Sequence, residues 1–176
     1  MIFIETELPG AFIIEPSFFP DERGWFATVW NYEEFAQHGL DTRFVQANTS
    51  FNKRRGTLRG MHFQLEPYQE TKLVRCTVGA IYDVVIDLRK DSPTFRQWTG
   101  AELTSSNGRG FYVPEGFAHG YQTLEDNTEV AYQISEYYHP EAARGVRWND
   151  PAFAIDWPPA ERIIIPRDQT YPDFTQ

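Results

Sequence analysis

The sequence predicts an all-β fold, a sandwich or jelly roll carrying only a few short helices. Three observations predict it. Aromatic residues make up 16% of the chain, and such rings favour pleated, half-buried surfaces. Twelve glycines and twelve prolines cut the chain into short segments, as sandwiches and barrels require. Residues 80–88 then alternate in strand fashion: Ala80, Tyr82, Val84, Ile86 and Leu88 form one face, and Ile81, Asp83, Val85 and Asp87 the other. An acid in mid-strand, Asp83, implies that the second face is not simply packed core. At 176 residues the chain reads as one domain, 1–176, able to bury roughly 70% of its unfolded surface.

Taken in order, Met1–Glu5 lacks a basic leader and is soon broken by Glu7 and Pro9, so it is not read as a signal peptide. Asn31–Gly39 is the clearest helix. It has an Asn cap, acids in the first turn, His38 near the last turn and Gly39 as the stop. Lys72–Thr77, a Val78-Gly79 turn and Ala80–Leu88 read as a hairpin. Asp91-Ser92-Pro93-Thr94 is turn chemistry, and Glu129–Tyr138 alternates weakly as a strand returning across a barrel. From Asn149 the chain is proline-rich and is expected to run extended over the barrel, with Ile163-Ile164-Ile165 a candidate added strand.

Bulk properties exclude several classes. A net charge of −9 disfavours nucleic acid as a partner, because phosphate neutralisation needs a basic surface. No apolar run approaches the roughly 20 residues that span a bilayer, so no membrane partner is expected. The single cysteine, Cys76, rules out an intrachain disulfide and fits a reducing cytosol. With Val74 and Val78 at strand spacing, it reads as a small buried residue.

Two of the four histidines sit in glycine-bounded frames: Gly56 to Gly79 around His62, and Gly108 to His119. The pair resembles the two motifs of the cupin jelly roll, in which both histidines point into one barrel. A metal-binding version would want a second histidine where this chain has Gln64, a weak ligand. A set of His62, Glu70 and His119 remains open on paper, and so does inert packing of both histidines. Arg59 and Lys72 flank the same segment; cations there suit an anionic substrate better than a divalent metal.

Leu58–Gln64, Lys72–Cys76, Asp83–Arg89 and Tyr112–Gly120, with Arg23–Phe26 and Gly145–Pro151, resemble the dTDP-4-dehydrorhamnose 3,5-epimerase family over nearly the whole chain. The resemblance implies a cupin-like double-stranded β-helix, usually a homodimer, needing no metal and no cofactor. It implies epimerisation of a nucleotide-linked 4-keto-6-deoxyhexose through an enolate. His62 would be the base, Asp168 its carboxylate partner, Tyr132 the proton donor, and Lys72 the positive charge at O4. Arg23, Gln46, Asn48, Arg59, His119, Tyr138 and Arg167 match substrate-binding positions, Tyr138 as the ring that stacks on the pyrimidine. Thr28 and Ala143 stand where many members carry Glu, which leaves the exact sugar and nucleotide open. A 3-epimerase, or an enzyme for a CDP-linked sugar, fits the same motifs. A metal-dependent cupin and a non-catalytic sugar-nucleotide binding module are the alternatives of other classes. Lys53-Arg54-Arg55 reads as a solvated basic loop, and Asp83 as a residue able to orient Lys72 or Tyr132.

Overall fold

A computed structural model describes residues 1–175; the expected domain span of 1–176 includes Gln176, which lies outside the described residues. In chain order the first half comprises β1 (Ile2–Glu5), β2 (Phe12–Glu15), β3 (Phe19–Asp21), β4 (Gly24–Phe26), α1 (Tyr32–Gln37), β5 (Gln46–Asn52) and β6 (Leu58–Gln64). There follow β7 (Lys72–Val78), β8 (Ala80–Asp87), β9 (Trp98–Thr104), β10 (Gly110–Val113), β11 (Phe117–Thr123), β12 (Thr128–Ile134), β13 (Ala143–Gly145) and α2 (Pro166–Gln169). The strands build a six-stranded sheet, β1-β2-β10-β7-β12-β5, and a five-stranded sheet, β13-β6-β11-β8-β9. Every pairing between these strands is antiparallel. The two sheets form the expected cupin-like jelly roll. Among the described residues no helix is long and apolar enough to cross a membrane.

The expected hairpin of residues 72–88 is not formed. Strands β7 and β8 belong to different sheets, so Gly79 is a corner rather than a hairpin turn. Its φ of +77° and its closeness to Thr128, where an added Cβ would meet Oγ1 at 2.6 Å, both require glycine. The physical reason is burial. Both strands are largely buried on both faces and need neighbours on each side, which a two-stranded ribbon cannot supply.

The two faces of β8 serve different layers. Ile81 and Val85 join Val74, Cys76, Phe111 and Val130 in the core between the sheets. Val84 and Ile86 face outward and are covered by the proline-rich C-terminal segment through Phe153 and Trp157. Burying one such ring stabilises the fold by roughly 2–3 kcal/mol, so the tail is part of the core. Ile163–Ile165 is not a strand: among the described residues a single parallel bridge joins Ile163 to Thr57. Pro166 has no N–H to extend a ladder and instead opens α2. Cys76 is buried as expected, and that burial pushes its thiol up to about 12, too high to act as a nucleophile near neutral pH.

Helix α1 matches its sequence signals. The Asn31 side chain accepts from the Glu34 N–H at 3.0 Å, and Gly39 ends the helix with φ +71°. Six residues cannot hold a helix alone in water. Phe35, fully buried against Ile14, Leu73 and Tyr112 on the outer face of the six-stranded sheet, fixes it in place. The ribbon β3–β4 joins neither sheet and leaves Phe19, Trp25 and Phe26 exposed.

Candidate active site

The two framed histidines lie on neighbouring strands, His62 on β6 and His119 on β11, directly opposite each other in register. Gly60 allows this approach. With φ +129°, it lies so close to Gly120 that an added Cβ would fall 2.5 Å from that residue's Cα. Both rings line a cleft of about 640 Å³ between the sheets, together with Arg59, Lys72, Tyr132 and the segment Ile163–Asp168. A smaller lobe of about 270 Å³ shares His62, Lys72, Tyr132 and Arg167 and adds Gln46, Asn48, Tyr138, Ala143 and Tyr171.

Each histidine has its own carboxylate. His62 Nε2 lies 2.9 Å from Asp168 Oδ1. Since the carboxylate can only accept, the proton sits on Nε2 and Nδ1 is left free. Asp168 is buried on α2. Its Oδ2 accepts from the Gly60 N–H at 3.2 Å, and Arg167 Nε donates to Oδ1 at 3.2 Å. Burial pushes the Asp168 carboxyl up, but the contacts with His62, the Gly60 N–H and Arg167 outweigh it and hold the group below the usual range. His119 Nε2 lies 2.7 Å from Asp83 Oδ1. Asp83 is fully buried, and burial raises its carboxyl against the pull of His119 and Lys72. Asp83 therefore holds His119; it makes no hydrogen bond to Lys72 or Tyr132 among the described residues.

Tyr132, on β12 of the six-stranded sheet, faces the His62 strand across the cleft. Burial, reinforced by Glu70 and opposed by Arg59, raises its phenol, so it enters the cleft as an O–H donor. Lys72 sits beside it on β7, where Lys72 pairs with Ile134 and Val74 with Tyr132. Its ammonium is 2.9 Å from Glu70 Oε1. Glu70, the paper candidate for a metal carboxylate, is thus Lys72's counter-ion. Among the described residues no group of three His, Cys, Asp or Glu is spaced to hold a metal ion. Gln64 is a clamp: its amide donates to the Tyr68 and Tyr137 carbonyls and accepts from the His139 N–H.

The remaining expected site residues divide. Arg59 reaches the larger lobe, its Nε donating to Asn52 Oδ1 at 2.8 Å. Gln46 donates to Asn48 at 2.6 Å, and Tyr138 and Arg167 line the smaller lobe with them. Arg23 is not brought to this cleft. It lies on the β3–β4 ribbon, paired with Asp21 in solvent, and that ribbon is hydrogen-bonded to neither sheet. Thr28 lines neither lobe, whereas Ala143 lines the smaller one. The Lys53-Arg54-Arg55 loop stands apart, Arg54 and Arg55 lining a separate hollow with Asp126 and Glu161.

Sequence reasoning missed Ser50, Tyr121 and Tyr171 as cleft residues. Alternation would have found two of them. Ser50 shares a face with Gln46 and Asn48, and Tyr121 shares one with His119. Tyr171 follows α2 in an irregular segment and gives no periodic signal.

A jelly roll with a carboxylate-held imidazole on one sheet, and a protonated phenol beside a lysine on the other, has the parts of an acid–base enzyme, and the family it matches is one of carbohydrate epimerases. The comparisons agree. A family profile described as dTDP-4-dehydrorhamnose 3,5-epimerase matches residues 5–176. The protein of that name from Methanothermobacter thermautotrophicus is 51% identical over 156 residues, 89% of this chain and 83% of its own. The Bacillus anthracis enzyme of that name, solved with TDP and PPi bound, aligns with a TM-score of 0.95 at 44% identity, covering 98% of this chain and 99% of that one. A Legionella pneumophila dTDP-6-deoxy-D-glucose-3,5-epimerase, in complex with dTDP-4-keto-L-rhamnose, aligns at 0.89 and 40% identity, covering 95% and 89%. The chain belongs to the dTDP-4-dehydrorhamnose 3,5-epimerase family.

Proposed function

We propose that this epimerase inverts C3 and C5 of dTDP-4-keto-6-deoxy-D-glucose, giving dTDP-4-keto-L-rhamnose. The observation that carries the reading is the placement of His62 and Tyr132 on facing sheets of one cleft. Inversion requires a proton to leave one face of the carbon and return to the other.

The ketone at C4 acidifies the neighbouring C–H bonds. His62, its Nε2–H held by Asp168, takes the proton on Nδ1, and the C–H electron pair moves into an enolate whose negative charge gathers on O4. Lys72 stabilises that oxygen, as a fixed cation does at a developing oxyanion. Tyr132 gives its phenolic proton to the opposite face of the carbon, restoring the ketone. Return of the proton from His62 to Tyr132 through solvent resets the pair for the second centre, so the reaction is redox-neutral. Arg59, His119, Gln46, Asn48, Tyr138 and Arg167 hold the nucleotide sugar. No metal or cofactor takes part on this reading, which is supported by the commitment of His62, His119 and Glu70 to Asp168, Asp83 and Lys72. Activity is therefore expected to survive dialysis against a chelator; loss reversed by a divalent metal would reverse this part.

We further propose that the chain works in the cytoplasm as a homodimer, each copy one domain. Exposed Phe19, Trp25 and Phe26 on the unattached ribbon support the dimer, since such a patch usually marks an interface. A second copy would also bring its Arg23 to the site. Light scattering at micromolar concentration is expected to give twice the chain mass. The test of the activity is NMR of the product from dTDP-4-keto-6-deoxy-D-glucose. Inversion at both centres is expected; inversion at C3 alone would assign a 3-epimerase.

A further inference from the structure

The short segment after the tail's last proline-rich stretch delivers three side chains to one imidazole. Asp168 and Arg167 come from α2, and Tyr171 follows just beyond its cap. The Tyr171 ring lies over Gly145, where an added Cβ would sit 2.2 Å from both Cε2 and Cζ. Only glycine leaves room for it. Gly145 is in turn the register partner of His62 on the adjacent strand, and the Tyr171 ring meets the His62 ring edge-on at 6.3 Å and 75°. The ring is thus seated, with its plane set by backbone on one side and imidazole on another.

What it borders is the smaller lobe of the cleft, which also carries Tyr138, Arg167 and the small side chain of Ala143. Tyr138 is exposed. Two tyrosines, a guanidinium and a small floor residue match the chemistry of a flat heteroaromatic ring attached to phosphate. His62, Lys72 and Tyr132 line both lobes, so a ligand with its sugar at His62 can place its remaining half here.

We propose that Tyr171 is a specificity-determining residue that, with Tyr138, holds the planar base of the nucleotide in the smaller lobe. The proposal rests on the nucleotide-sugar reading above. Its phenol, raised chiefly by burial, stays neutral, so the contact is one of ring area and not of charge. Gly145 belongs to the same device, since a methyl group there displaces the ring.

Calorimetric titration of the full chain with dTDP and, separately, with inorganic pyrophosphate tests this. Tyr171→Ala is expected to weaken dTDP about ten-fold, in line with the loss of one base–aromatic contact, while pyrophosphate binds as in the wild type. Tyr171→Phe should stay within about two-fold for both ligands, and Gly145→Ala should follow Tyr171→Ala. Unchanged dTDP affinity in Tyr171→Ala would overturn the proposal, and so would equal losses for dTDP and pyrophosphate, which would mean a collapsed cleft. Failure of the wild type to bind dTDP would instead remove the nucleotide-sugar reading, and the proposal with it.

Discussion

The molecule carries two histidine–carboxylate pairs on adjacent strands, and they are built in opposite ways. In the His62–Asp168 pair the imidazole side chain is 33% exposed to the cleft, and its carboxylate accepts from three groups. In the His119–Asp83 pair the imidazole is 11% exposed, and Asp83 Oδ2, buried, has no hydrogen-bond partner among the described residues. The first carboxylate is held below its ordinary range and the second above it. The same two residue types therefore give one pair open to the cleft, to which the proposed function gives the proton transfer, and one pair that is buried. Hydrogen-bond supply to the carboxylate, more than the histidine itself, makes the difference.

The comparison breaks most visibly at the imidazoles. His62→Ala should lower kcat by about 1,000-fold, within the range removed with a general base. His119→Ala should act mainly on KM; equal kcat losses in steady-state assays would erase the distinction between the pairs. Next come the carboxylates. Asp168→Asn is expected to cost at least about 100-fold in kcat by unsettling the His62 tautomer, whereas Asp83→Asn, which keeps a hydrogen-bonding group, should cost far less. On the facing sheet, Tyr132→Phe should lower turnover by about 100-fold while leaving the affinity for dTDP unchanged.

The smallest effects lie in pH-dependent stability, where the two carboxylates have opposite signs. Asp168, depressed in the fold, contributes stability that is full above the ordinary carboxylate pKa and is lost as pH falls below it. Asp83, raised in the fold, favours the folded state at low pH, and that contribution is lost as pH rises through its folded value. A third carboxylate sharpens the point. Burial pushes Asp87 up, but hydrogen bonds from Arg89, Ser92 and Thr94 bring it down to about 2. Asp87→Asn should therefore flatten the acid limb of a urea-unfolding series between about pH 4 and 2, removing at most about 2 kcal/mol. Asp83→Asn should flatten the opposite slope.

How much of this was legible depended on whether the signal was local. The α1 cap, the β8 alternation and the framed histidines are short-range patterns, and all reappear in the structure. The β7–β8 turn was misread because Gly79 marks a hairpin and a sheet-to-sheet corner equally well; only the burial of both strands decides. Ile163–Ile165 has strand composition, but its length is spent reaching Pro166 and α2. Among the site residues, His62, Lys72, Tyr132, Asp168 and His119 converge as the family pattern implied. Arg23 does not, because its ribbon pairs with neither sheet. Tyr171 was invisible since its place comes from packing on Gly145, a contact with no period in the sequence.

The most direct test of the central claim is NMR of dTDP-4-keto-6-deoxy-D-glucose incubated with the enzyme in deuterated water. The account predicts deuterium at both C3 and C5, abolished by His62→Ala and retained, at saturating substrate, by His119→Ala. Exchange that persists without His62, or that vanishes equally with either histidine, would contradict the assignment of the base to the His62–Asp168 pair.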